Sequence, residues 1–204
     1  MESIHLGGLL VAPTAQRIRD WNLDGKINED DLEYALTTDA RALVDHSMGF
    51  VDWAPLEDVE ALVGLIAEQI GGETGLVEWA QDLVECWQSE APISDLIRGG
   101  RALTDTRGFV VSQASELLVR DADWVYDGGR SGFSVRLRGL GHATPALKVL
   151  LGAILARLAM APGGREFDVR FDGIDDDDLV VFGEALGLDD PNEESRLHQA
   201  ALIA

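Results

Sequence analysis

The stretch Trp124-Val125-Tyr126-Asp127-Gly128-Gly129-Arg130-Ser131-Gly132-Phe133-Ser134-Val135-Arg136-Leu137-Arg138 holds two extended runs on either side of an Asp-Gly-Gly turn. Side chains of a strand alternate with period two, so Phe133, Val135 and Leu137 share one face and Ser134, Arg136 and Arg138 the other. Two such runs around a Gly-rich turn predict a β-hairpin. Downstream, Thr144 or Pro145 opens a helix whose Leu147, Leu150, Leu151, Ile154, Leu155 and Leu158 make it strongly apolar. It closes near Pro162-Gly163-Gly164. Phe167, Val169 and Phe171 then alternate with Asp168 and Arg170, which predicts a third strand over 166–171. Asp175 to Asp178 precede Leu179-Val180-Val181-Phe182. Acids in a first turn suit a helix N-terminus, so a last helix is expected there.

Upstream of the hairpin the apolar period changes from two to between three and four. Pro55 suits a helix start, and Leu56, Val59, Leu62, Val63, Ile66 and Ile70 form an apolar stripe that ends at Gly71-Gly72. Glu73 to Trp87 repeats the pattern with Leu76, Trp79, Leu83 and Trp87. Shorter helices are expected over 31–43, with Leu32, Ala35, Leu36 and Leu43 inward, and over 93–98. Residues 108–120 read as helix. Helices, hairpin, long helix, strand and helix together predict an α+β fold: a helical N-terminal half packed on a small antiparallel sheet, with one long apolar helix. The expected organisation is an N-terminal segment over 1–41, an α+β ligand-binding or adaptor domain over 42–187, and an acidic, mobile tail over 188–204.

The 204 residues are 46% hydrophobic, enough for a core of ordinary size. Acids number 37 against 16 Lys and Arg, a net charge of −21. That argues against nucleic acid, whose affinity comes from neutralised phosphates, and against anionic membrane surfaces. No apolar run approaches the roughly 18 residues of a membrane helix. Met1-Glu2-Ser3-Ile4-His5-Leu6 has no basic n-region, and Leu9-Leu10-Val11-Ala12 is too short for a signal h-region. A cytoplasmic protein is expected. The single Cys86 excludes an internal disulfide framework and a Cys-based zinc site. The charge is uneven: residues 42–97 hold 12 acids and no Lys or Arg, while 98–170 hold 11 bases and 7 acids. A solvated acidic face is the expectation. The sharper alternatives are an acidic helical layer docked on a basic sheet, or a surface for a cationic partner.

The most chemical content lies in Asp20-Trp21-Asn22-Leu23-Asp24-Gly25-Lys26-Ile27-Asn28-Glu29-Asp30-Asp31. Calcium takes six to eight hard oxygens. Alternate positions of a tight loop converge on one ion, which names Asp20, Asn22 and Asp24. Gly25 makes the sharp turn, Lys26 offers its carbonyl, Ile27 is the inward apolar residue, Asn28 acts through water and Asp31 closes the shell. The loop resembles the EF-hand loop, and more closely its dockerin variant ending in Asp. The segment before it, 14–19, is short for an EF-hand helix, and no second loop follows. The competing reading is a turn followed by a capped helix with Glu29, Asp30 and Asp31 on its dipole.

Other signals are weaker. Gly139-Leu140-Gly141-His142-Ala143-Thr144 runs from a strand into a helix carrying Lys148, where a phosphate could sit, although the third glycine of a dinucleotide fingerprint is missing. Gly129-Arg130-Ser131-Gly132 lacks the spacing of a nucleophile elbow. His5, His46, His142 and His198 form no zinc-type pair. Cys86, between Glu85 and Trp87, reads as structural. Arg130, Arg136 and Arg138 could line the hairpin, most simply as a solvated or acid-paired face. Trp53, Trp79, Trp87 and Trp124 read as core, with a cavity for a small apolar ligand as the alternative.

A wider run carries a second resemblance: Gly25-Lys26-Ile27-Asn28-Glu29-Asp30-Asp31-Leu32-Glu33, Leu43-Val44-Asp45, Trp53-Ala54-Pro55-Leu56, Val125-Tyr126-Asp127-Gly128 and Ser131-Gly132-Phe133. Over 25–187 it resembles uncharacterised proteins of myxobacteria and related deltaproteobacteria. Those are similar to a group joining the vinyl-reductase-type small-molecule-binding domain, haem-NO-binding-like domains and TRAPP transport-complex subunits. The resemblance implies an α+β ligand-binding or adaptor domain, often dimeric. No histidine here matches a haem ligand, and the cysteines typical of the vinyl-reductase-type branch are absent. The expected function is a non-enzymatic binding or regulatory/adaptor domain, with a calcium-stabilised interaction module whose acidic face meets a basic protein partner as an alternative. A homodimer through the stripes of 56–70 and 73–87 is expected with it. The rival is an enzyme or binding protein for a small phosphorylated ligand at Gly139–Lys148.

Overall fold

A computed structural model describes residues 4–49, 51–100, 106–128, 132–140, 142–161, 167–173 and 178–185. In chain order they form β1 (His5–Gly7), α1 (Gly8–Leu23), α2 (Glu29–Ala35), α3 (Thr38–Asp45), β2 (Trp53–Pro55), α4 (Leu56–Ile70) and α5 (Glu73–Ser89). There follow α6 (Ile93–Gly100), α7 (Thr106–Leu118), β3 (Val119–Arg120), β4 (Asp123–Gly128), β5 (Gly132–Arg138), α8 (Pro145–Met160), β6 (Phe167–Asp172) and β7 (Leu179–Ala185). The fold is α+β, with two small antiparallel sheets among the described residues.

The long apolar helix is α8, and twelve of its sixteen residues are buried. A helix apolar all round needs cover all round. The strands β6 and β7 pack on one side of it, and α4, α5 and α7 supply the rest. Pro145 stands in its first turn, where a missing N–H costs nothing. The four-stranded sheet has the order β4-β5-β7-β6. The hairpin pairs as expected, with Trp124 opposite Leu137 and Gly128 opposite Phe133. Phe133, Val135 and Leu137 are buried, and Arg136 and Arg138 are exposed.

Residues 179–182 are not a helix. They belong to β7, an inner strand between β5 and β6. Leu179 and Val181 point inward beside Leu137 and Val135, while Val180 and Phe182 are only half-buried. Four consecutive apolar residues fit either period, and the β-branched and aromatic content favours the strand. The expected helix over 31–43 is two helices. Leu36 is extended, and the Thr37 hydroxyl accepts from the Ala40 N–H to start α3. Ala35, expected inward, is exposed.

The N-terminal half is also not purely helical. A three-stranded sheet, β2-β1-β3, joins residues 5–7 to 53–55 and 119–120. Leu9, Leu10 and Val11, the short apolar patch near the start, are the buried first turn of α1. The stripes of α4 and α5 are buried inside the chain, where both helices pack on α8. The surface on which a homodimer was expected is therefore already covered. No described helix is long and apolar enough to cross a membrane. Arg130, the 162–164 helix stop and the 188–204 tail lie outside the described residues.

Candidate functional site

The segment before the 20–31 loop is a full helix rather than a short one. The helix α1 runs sixteen residues and carries Asp20, Trp21, Asn22 and Leu23 as its last turn. Asp24 follows as the C-cap, and Gly25 adopts φ +71, a conformation that favours glycine. Ile27 is buried, as its loop position requires. Asn28 caps α2: its side chain accepts from the Asp31 N–H at 2.8 Å, and its own N–H donates to Asp31 Oδ2 at 3.2 Å. The result is helix, tight turn, helix, with a capping box.

The five expected ligands, Asp20, Asn22, Asp24, Lys26 and Asp31, all stand on the last turn of α1, the turn after it and the first turn of α2. Among the described residues no three His, Cys, Asp or Glu side chains are placed to hold a metal ion. Residues two apart on a helix do not share a face, so a helical last turn separates Asp20 from Asn22. Asp20 Oδ1 accepts from Gln16 Nε2 at 2.7 Å, and Asn22 Nδ2 donates to the Ile27 carbonyl at 3.3 Å. The other oxygen of Asp20, the Asn22 side-chain oxygen and Asp31 Oδ1 take no hydrogen bond from the described residues. The donor chemistry fits calcium. The geometry would need the last turn of α1 to unwind.

The acidic stretch is open to solvent. Of its twelve carboxylates, ten are exposed, Glu60 is half-buried and Asp58 is buried, with its Oδ1 accepting from the Thr37 hydroxyl at 3.1 Å. Within the basic stretch Arg170 meets Asp168 at 2.5 Å and Arg120 meets Asp121 at 3.9 Å, while Arg136 meets Asp178, beyond it, at 3.7 Å. Arg98 meets Asp95 one turn away on α6, at 3.1 Å. These contacts favour a solvated face. Beside it, the Arg17 guanidinium lies over the rings of Trp21 and Trp79, at 5.0 and 5.2 Å from their centroids. Burial pushes Arg17 below its usual value, and the Asp82 carboxylate opposes that shift. Arg41 goes the other way: hydrogen bonds to Glu29 and then to Asp45 hold its guanidinium charged, with contacts at 2.8 and 3.0 Å.

At the Gly139–Lys148 turn, the Thr144 N–H donates to the Glu60 carboxylate of α4. A carboxylate from the protein thus stands at the helix entrance, the place the alternative reading gave to a phosphate. His142 is exposed and Lys148 is buried. Cys86 is exposed, not a packed core residue, with its Sγ 3.8 Å from Glu90 Oε1. Trp21, Trp79 and Trp87 are buried, while Trp53 is half-buried under Arg120. Sequence reasoning missed Arg17 and Glu60. The Arg17–Trp21 pair was readable, since the two stand four apart on one helix face. The Trp79 contact and the reach of Glu60 to Thr144, 84 positions away, depend on tertiary packing and have no sequence signal. No protein-family model and no curated protein sequence matches this chain.

Proposed function

We propose that this chain is a non-enzymatic binding or adaptor domain that meets a basic protein partner through the acidic face of α4, α5 and α6. One observation carries this reading: ten of the twelve carboxylates in residues 42–97 are exposed, in a stretch without Lys or Arg. Of these ten, Asp45 and Asp95 meet an arginine among the described residues, and the other surface carboxylates create a negative field that speeds and orients the approach of a cationic partner. The test separates this face from net charge alone. An alternating Gly-Lys peptide is titrated against wild type, against Glu78→Gln/Glu85→Gln/Glu90→Gln, and against Asp189→Asn/Asp190→Asn/Glu193→Gln. Both variants lose the same charge. The helix variant should bind about tenfold more weakly, a cost of about 1.4 kcal/mol, while the tail variant stays within about twofold. Equal losses would reduce the effect to overall charge and sink the reading.

Calcium stabilisation is a second reading, favoured by the helix–turn–helix at 8–35 and the uncommitted oxygens of Asp20, Asn22 and Asp31. Free calcium a hundredfold above Kd should add about 2.7 kcal/mol to stability. Magnesium should substitute poorly, and Asp24→Ala should abolish the gain. Trp21 fluorescence should shift with it, since the indole belongs to the turn that must unwind. Equal melting temperatures in EDTA and in millimolar calcium would leave the corner as a turn before a capped helix.

A further inference from the structure

Two arginines on α1 are held in opposite ways. Arg19 Nε and Nη2 donate to the Val44 carbonyl at 2.8 and 2.6 Å, and Nη1 donates to Gln16 Oε1 at 2.6 Å. Arg17 has no hydrogen-bond partner among the described residues, and its Nε is shut away from solvent. What seats Arg17 is the faces of Trp21 and Trp79, with the field of Asp82 three residues beyond Trp79. A structural arginine spends its donors on carbonyls and carboxylates, as Arg19 does. An arginine held on ring faces with a stranded donor lacks the hydrogen bonds that fix Arg19 in place. Arg17 is itself only half-buried, so its seat opens to solvent. Trp79 and Asp82 belong to α5, the helix that also carries the exposed acids Glu78 and Glu85.

We infer that Trp21, Trp79 and Asp82 form a guanidinium slot for an arginine of the basic partner, filled in the free chain by Arg17. This rests on the acidic face being the docking surface and names what docks there. Indole faces favour the planar guanidinium over the compact, strongly hydrated ammonium, so the slot selects Arg over Lys. Arg17 competes from the same chain at an effective concentration of about millimolar. Flanking cations held by the carboxylates of α5 would help an incoming arginine to displace it.

The experiment titrates an alternating Gly-Arg peptide and its Gly-Lys counterpart of equal length, with Trp fluorescence as the readout. Wild type should prefer Gly-Arg. Arg17→Ala should bind Gly-Arg about tenfold more tightly than wild type, with Gly-Lys little changed. Arg17→Lys, which keeps the charge and most of the stem, should also tighten Gly-Arg and serves if Arg17→Ala does not fold. Trp79→Leu should lose the Arg preference while keeping the salt-dependent binding of Gly-Lys. If neither Arg17 variant tightens Gly-Arg, or if Trp79→Leu keeps the wild-type preference, Arg17 is an internal staple and the inference falls. The acidic-face reading survives that result provided Glu78→Gln/Glu85→Gln/Glu90→Gln still weakens both peptides. Should that variant bind as wild type does while Arg17→Ala tightens Gly-Arg, the slot stands and the acidic face falls.

Discussion

The two sheets of this chain are built on opposite plans. The four-stranded sheet draws its strands from 123–185, two antiparallel pairs with α8 between them in sequence. The three-stranded sheet pairs 5–7 with 53–55 and 119–120, so its strands are two or three residues long and come from distant parts of the chain. Closing such loops costs entropy before any ladder bond forms. A sheet this small has no stability of its own. Leu6, Ala54 and Val119 are buried in it, so it exists because α1, α4 and α7 meet around it. In one sheet the strands organise the helices; in the other the helices organise the strands.

The sharpest way to break the contrast is Gly7→Ala. A Cβ at Gly7 would lie 2.0 Å from the Leu117 carbonyl oxygen, a backbone atom in the last turn of α7. Because the helices define this sheet, a backbone shift is costly, and the variant should lose about 3 kcal/mol in urea unfolding. A loss below about 1 kcal/mol would mean that β1 is slack and the contrast overdrawn. Gly183→Ala probes the other sheet at similar crowding. Its Cβ would lie 2.4 Å from Phe133 Cε1, the far end of a ring that can turn aside. The expected loss is about 1.5 kcal/mol, and Phe133→Leu should recover part of it in a double-mutant cycle. Additivity of the two changes would show that the ring does not relieve the clash. The smallest effect belongs to Arg136→Ala. Its pair with Asp178 is 3.7 Å long and both side chains are solvent-accessible, so less than about 0.5 kcal/mol should be lost, and less still in salt.

The same difference explains what the sequence revealed. The hairpin at 123–138, the stripes of α4 and α5 and the apolar α8 were legible, because each repeats a period over enough residues to be read. His5–Gly7, Trp53–Pro55 and Val119–Arg120 are too short to show a period of two, and their pairing depends on packing elsewhere. Leu179–Phe182 failed for another reason: an apolar run of four fits a strand or a buried helix, and only its neighbours β5 and β6 decide between them. At the candidate site, Asp20, Asn22, Asp24 and Asp31 were legible as donor types. That a helical last turn would part Asp20 from Asn22 was not, because helix ends are the least readable boundaries.

The helix α8 packs both on helices that precede β4 and on strands that follow it, and that has a practical meaning. A cut between β4 and β5 would strip α8 from α4, α5 and α7 in a first piece, and leave a second with a greasy rod on the strands β5, β7 and β6. Each piece alone would expose a large apolar surface and aggregate; together, each is the solvent the other lacks. The chain is thus suited to division into two fragments that report on their own encounter.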